Sequence, residues 1–133
     1  MAKERYLVLS DIHSNQQALE AVFRAVQRRR YDAVFCLGDL VGYGANPNPI
    51  VSRMRRLRNL KIVRGNHDKV CCGLEPGLGF NATAKSAAEW TLRHLRRENL
   101  EYLSALPKGP VEVLPGVVLA HGRERKELSG GYR

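Results

Sequence analysis

"LKIVRGNHDK", residues 60–69, is the stretch on which the fold turns. Its first four residues are a short apolar run suited to a strand, and the run ends in three adjacent polar side chains, Asn66, His67 and Asp68. Core packing gives no reason for that ending. Two earlier runs behave alike: "RYLVLS" (5–10) leads into Asp11 and His13, and "AVFCLG" (33–38) leads into Asp39. The chain holds only four aspartates and four histidines. Three of each, Asp11, Asp39 and Asp68 with His13, His67 and His121, fall at or just past an expected strand end.

The segments between these strands have helical periodicity. Ser14 and Gln17 form a capping box before Ala18, Leu19, Val22, Phe23 and Val26, which recur at helical spacing. Asn48 and Pro49 open a second helix carrying Ile50, Val51, Met54 and Leu57. Alternating strands and helices with short connections imply a parallel βαβαβ unit with right-handed crossovers. In such sheets ligands bind beyond the carboxyl ends of the strands. Residues 70–82 read as a glycine-rich loop; no Lys-Ser/Thr follows, so it is not a phosphate cradle. Residues 83–97 and "ENLEYLSAL" read as helices, and "VEVL", Pro115-Gly116 and "VVLA" as a hairpin with His121 at its far end.

Side chains two apart on an extended backbone point the same way, so Asp11 and His13 can converge on one point, with Asp39 one strand away. Adjacent residues such as Asn66 and His67 project differently and suit different tasks, metal for one and substrate for the other. Carboxylate, imidazole and amide oxygen together favour manganese, iron, zinc or magnesium over copper(I) or an iron–sulfur cluster. Tyr43 and Arg64 sit beside these residues in sequence and are left outside the site. His94 lies within a helix, outside every motif, and reads as a surface histidine.

A length of 133 residues fits one domain. The net charge of +9 is spread over "RRR" (28–30), "RMRRLR" (53–58) and "RRE" (96–98). Such a surface attracts phosphate or nucleic acid without specifying either, and without aromatic interleaving it reads as solvated helix faces. Cys36 and the adjacent Cys71 and Cys72 fit neither a disulfide framework nor a structural zinc site, and read as reduced thiols. No secretory signal and no apolar run near the ~18 residues of a membrane span is present, so the expectation is a soluble, cytoplasmic protein.

In their order "SDIHSN", "CLGDLVGYG", "VRGNHD" and "LAHG", the motifs resemble the calcineurin-like metallophosphoesterase superfamily, most closely its small bacterial branch related to diadenosine tetraphosphatases. The resemblance implies an α/β fold, the βαβαβ core of the family's sandwich, over residues 1–122. It also implies two divalent metal ions, manganese first, with iron, zinc, nickel or magnesium as alternatives. Asp11 and His13 would bind the first ion, Asp39 would bridge, and Asn66 and His121 would bind the second. His67, oriented by Asp68, would protonate the leaving oxygen or stabilise charge on the phosphoryl group. A metal-bridging hydroxide would hydrolyse a phosphomonoester or phosphodiester.

The family continues past "HG" into further strands ending in Gly-His-x-His. Here residues 123–133, "RERKELSGGYR", contain no histidine and read as a charged, divergent tail. The expectation is a truncated member with its second sheet mostly missing, weaker metal binding, and an apolar face that a homo-oligomer would cover. A non-catalytic metal-binding remnant or partner module is the alternative to an enzyme. A basic nucleic-acid-binding protein ranks third, nucleic acid being unlikely except as substrate.

Overall fold

The computed structural model describes residues 3–122. Three parallel strands, β1 (Tyr6–Leu9), β2 (Ala33–Cys36) and β3 (Leu60–Ile62), form one sheet in that order. Helices α1 (Gln16–Val26) and α2 (Pro47–Arg55) make the two crossovers. Then follow α3 (Asn66–Cys71), α4 (Ala82–His94), α5 (Arg97–Ser104) and an antiparallel hairpin of β4 (Val111–Leu114) and β5 (Val117–Leu119). The strand and hairpin expectations hold, each parallel strand being one to two residues shorter than its apolar run.

The sheet separates two clusters. On one face Cys36 packs with Leu19, Leu40, Ile50, Met54, Cys71, Ala88 and Leu103, most of them contributed by the helices. On the other, Phe35 and Val63 meet Leu119 of β5, with Tyr6, Val111 and Val117 partly buried around them. The hairpin is therefore a small second layer against β2 and β3.

Three local expectations change. Ser14 does not cap α1: its φ of 56° is incompatible with the extended cap conformation, and its N–H is held by the carbonyl of Leu40 at 2.8 Å. Asn15 takes the role, its Oδ1 accepting from the N–H of Ala18 at 3.0 Å. Asn48 is not the cap of α2 either, because that helix starts at Pro47 behind Asn46. Its amide instead joins α2 to the α4–α5 corner, Oδ1 accepting from the N–H of Arg96 and Nδ2 donating to the carbonyl of His94, both at 2.8 Å. The third change is at residues 70 and 71, which complete α3 before the glycine-rich loop begins.

All three cysteines are buried and unpaired. Burial pushes the Cys36 and Cys71 thiols up to about 12. Neither is a nucleophile at neutral pH.

Candidate metal centre

Loops at the carboxyl ends of β1, β2 and β3 meet in a small space, and glycine makes that meeting possible. A Cβ on Gly65 would stand 2.0 Å from Oδ1 and 2.4 Å from the backbone nitrogen of Asp39, and one on Gly38 would stand 2.6 Å from the nitrogen of Gly65. The β2 and β3 loops thus pass at a separation no side chain permits.

Asp68 ties these loops together. Its buried carboxylate accepts from the backbone N–H groups of Gly65 (2.9 Å), Asp39 (2.8 Å) and Val41 (3.1 Å). Desolvation, with the charge of Asp39 nearby, raises its pKa to about 6 against the lowering effect of those donors. The expected role of orienting His67 is replaced by this one, since all its hydrogen bonds go to backbone. Asp68 lies in the first turn of α3, which begins at Asn66, and its bond from the N–H of Gly65 satisfies the N-cap residue of that helix.

Asp11, His13 and Asp39 come together as expected, each offering a ligand atom within 4.8 Å of the others. His13 Nε2 lies 3.6 Å from Asp11 Oδ1 and 3.6 Å from Asp39 Oδ2. The route differs from strand alternation. β1 ends at Leu9, and Asp11, His13 and Asp39 have φ of 55°, 49° and 59°. Left-handed backbone at three bulky residues costs energy, and such strain clusters where a site requires it. Hydrogen bonds hold the turn, from the N–H of Asp11 to the Gly38 carbonyl and from that of His13 to the Asp39 carbonyl, both 3.0 Å.

His121 and Asn66 complete the group. His121 Nε2 lies 3.4 Å from Asp39 Oδ2 and 2.9 Å from Asn66 Oδ1. Its Nδ1 donates to the carbonyl of Leu37 at 2.6 Å, and His13 Nδ1 donates to that of Val41 at 3.1 Å. A carbonyl only accepts, so in each neutral ring the proton sits on Nδ1 and the Nε2 lone pair points into the centre. Two imidazole lone pairs, an amide oxygen and carboxylate oxygens converging on Asp39 repel one another unless a cation or proton lies between them. The donor set fits divalent ions.

In the free protein a proton fills part of that need. The hydrogen bond to Asp39, opposed by burial, raises His121 to about 9. Burial pushes the Asp39 carboxyl up, but the hydrogen bond and charge of His121 outweigh it and leave the group below its ordinary value.

His67 stands beside this group. Its backbone N–H donates to Asp39 Oδ1 at 3.0 Å, and its ring packs against Phe80 (centroids 4.4 Å apart), His13 (4.9 Å) and Tyr43 (4.8 Å). Its Nδ1 is buried with no hydrogen-bond partner among the described residues. Desolvation, with His13 and His121 nearby, lowers its pKa against the opposing pull of Asp39 and Asp11. Aromatic contacts, not Asp68, place this ring.

Tyr43 and Phe80 are the residues that sequence reasoning missed. The signal for Tyr43 was its place in "VGYG", between glycines right after Asp39; for Phe80, distant in sequence, there was none. Arg64 is structural, its Nη1 donating to the carbonyl of Ser104 at 3.1 Å. His94 lies on the surface, stacked on Trp90 with centroids 4.1 Å apart.

Comparison with known proteins identifies the family of the chain. The sequence profile of the calcineurin-like phosphoesterases matches residues 4–130. An uncharacterised protein, MJ0912 of Methanocaldococcus jannaschii, is 42% identical over 127 residues, covering 94% of this chain and 52% of that protein. The crystal structure of a metallophosphoesterase from Sphaerobacter thermophilus superposes with a TM-score of 0.65 at 37% identity, over 90% of this chain and 51% of the other. A crystal structure provisionally described as a diadenosine tetraphosphatase gives 0.60 at 30% identity, over 78% and 43%. The chain spans about half the length of these relatives.

Proposed function

Since this chain belongs to the calcineurin-like phosphoesterase family, we propose that its centre holds two divalent cations, manganese first among them, and hydrolyses phosphomonoesters or phosphodiesters in the cytoplasm. The observation that carries this reading is the convergence of His13 Nε2, His121 Nε2 and Asp11 on the carboxylate of Asp39, with Asn66 Oδ1 beside His121 Nε2.

Asp11 and His13 are assigned to one ion, Asn66 and His121 to the other, and Asp39 between them. When bound, such a pair supplies positive charge to the phosphoryl oxygens and acidifies a water at neutral pH. The carbonyls of Leu37 and Val41 keep the two imidazoles in the ligating tautomer. His67 is assigned the proton of the leaving oxygen. Burial keeps its ring neutral in the free protein, and the negative charge of a bound phosphoester beside it raises its proton affinity. Asp68 holds the Gly38–Asp39 and Gly65–Asn66 turns in register and acts as a positioning residue.

The test is metal stoichiometry and turnover of bis(p-nitrophenyl) phosphate by chelator-treated, manganese-reloaded protein. Two ions per chain and turnover, both lost in Asp39→Ala, are expected, and His67→Ala should retain metal while losing turnover. Metal bound in full without turnover in the parent would overturn the hydrolase assignment for this chain and leave a metal-binding module.

A further inference from the structure

Three arginines from two distant stretches of sequence border one cavity. Arg53 and Arg56 follow one another on α2 and its C-terminal end, and Arg96 comes from the corner between α4 and α5; with the first turns of α1 they enclose about 300 Å³. Among the described residues the cavity shares none with the candidate metal centre. Arginines on a helix surface ordinarily project into solvent. Here they surround a concave space that also reaches the buried side chains of Leu19 and Ile50.

The arginines are held in place without being neutralised. Positions 53 and 56, three apart, share one side of the helix. The Arg53 guanidinium lies 4.3 Å over the centroid of the Phe23 ring. Stacking fixes its plane and leaves the N–H groups at its edge to donate elsewhere. Arg96 is anchored by its backbone N–H, which donates at 2.8 Å to Oδ1 of Asn48, itself a lining residue. Arg55 supplies the contrast, because its Nη1 donates to Asn99 Oδ1 at 3.1 Å and so joins α2 to α5. Among the described residues, Arg53, Arg56 and Arg96 have no ion-pair partner. The carboxylate in the wall, Glu20, accepts instead from Gln16 Nε2 at 3.1 Å.

Three like charges around a small space repel one another. An oxyanion with several acceptor oxygens relieves that repulsion at all three, and the guanidinium fork matches phosphate oxygens in pairs. We infer that this cavity binds a phosphate dianion, free or as the head group of a small organic phosphate, at a site separate from the candidate metal centre and independent of its chemistry. The volume is at the small end of the range for ligand sites. A concave, partly apolar wall suits a compact ligand, whereas a nucleic-acid strand needs an open groove along its backbone.

Isothermal titration calorimetry with inorganic phosphate, on chelator-treated protein at fixed pH and ionic strength, tests the site with no metal at the centre to hold the anion. Saturable binding of one phosphate per chain is expected. Arg53→Gln and Arg56→Gln should each weaken it roughly ten- to a hundredfold, the range for one hydrogen bond to a charged group. Arg56 is exposed, so its replacement leaves the fold intact. Arg58→Gln removes the same charge at an exposed position outside the cavity, and with salt screening the difference it should change affinity by less than about twofold. His121→Gln, which removes the protonated imidazole at the centre, should also leave the affinity at its parental value. Glycerol 3-phosphate that binds more tightly than phosphate, with the same dependence on Arg53 and Arg56, would support the site and identify an organic phosphate as its occupant; equal affinity would support it with the free ion. No saturation by phosphate, weakening by Arg58→Gln or His121→Gln as large as that by Arg56→Gln, or a short oligothymidylate that binds where phosphate does not, would overturn it.

Discussion

The two faces of the parallel sheet are covered very unequally. The helical face buries a large cluster around Leu40, Ile50, Met54 and Leu103, while the hairpin face buries only Phe35, Val63 and Leu119. The candidate metal centre draws on both. Asp11, His13 and Asp39 hang from loops and Asn66 opens α3, all anchored by the helical side, and His121 arrives on the chain leaving β5. One half of the site thus rests on a dense core and the other on a thin layer, and the two halves should fail under different perturbations.

The largest effect is expected where the loops touch. Gly65→Ala places a Cβ 2.0 Å from Asp39 Oδ1 with backbone behind it, so neither neighbour can retreat without breaking the Asp68 hydrogen bonds. We expect a loss of at least about 3 kcal/mol, the top of the usual overpacking range, with manganese binding abolished in whatever folds. A parental urea midpoint would show that the loops pass farther apart.

Next come paired truncations of the two layers. Leu103→Ala, fully buried on the helical side, should cost about 2–5 kcal/mol while the folded fraction binds metal normally. Leu119→Ala should cost less, nearer ~2 kcal/mol, because few neighbours surround it. Yet it should weaken binding at the His121 half and spare the Asp11–His13 half. Equal effects of both variants on metal titration would remove the distinction between the halves.

How much of this was legible in the sequence follows the same division. Apolar runs ending in Asp11, Asp39 and Asn66 gave the strands, their parallel order and the side of the sheet where the site lies; burial on both faces accounts for the continuous apolar signature of the central strand β2. The left-handed turns at Asp11, His13 and Asp39 were not legible, since those residue types do not demand φ above zero as a turn glycine does. Asp68 looked like a partner for His67 because it is adjacent, but adjacency says nothing about three backbone donors brought from two loops. Phe80 and Tyr43 reach His67 only through tertiary packing, which no local spacing records.

A smaller effect tests the electrostatics of the thin side. In metal-free protein the hydrogen bond from His121 to Asp39 raises its pKa to about 9, above the unfolded value. The protonated pair therefore stabilises the fold fully below about pH 6.5, and that contribution is lost as pH rises through about 9. Thermal stability in chelator should decline between pH 7 and 10, and His121→Gln should flatten the decline. A variant with the parental slope would place the titrating group elsewhere.

The smallest effect concerns the edge that the hairpin leaves open. Val8 pairs in register with Phe35, so both side chains lie on the hairpin face, yet Phe35 is 4% exposed and Val8 is 56% exposed. The difference arises because β4 and β5 lie over β2 and β3, where Leu119 meets Phe35 and Val63, and do not reach across β1. Tyr6, stacked on Phe35 at 4.7 Å, is the part of β1 they shelter. If solvent bathes Val8, then Val8→Thr removes almost no buried apolar area and should change stability by no more than about 0.5 kcal/mol, as for an ordinary surface site. A loss of 1–2 kcal/mol in chemical denaturation would mean that Val8 is covered in solution. Repeating the measurement across protein concentrations would then separate the two ways of covering it: a loss that varies with concentration requires a second chain, and one that does not requires this chain.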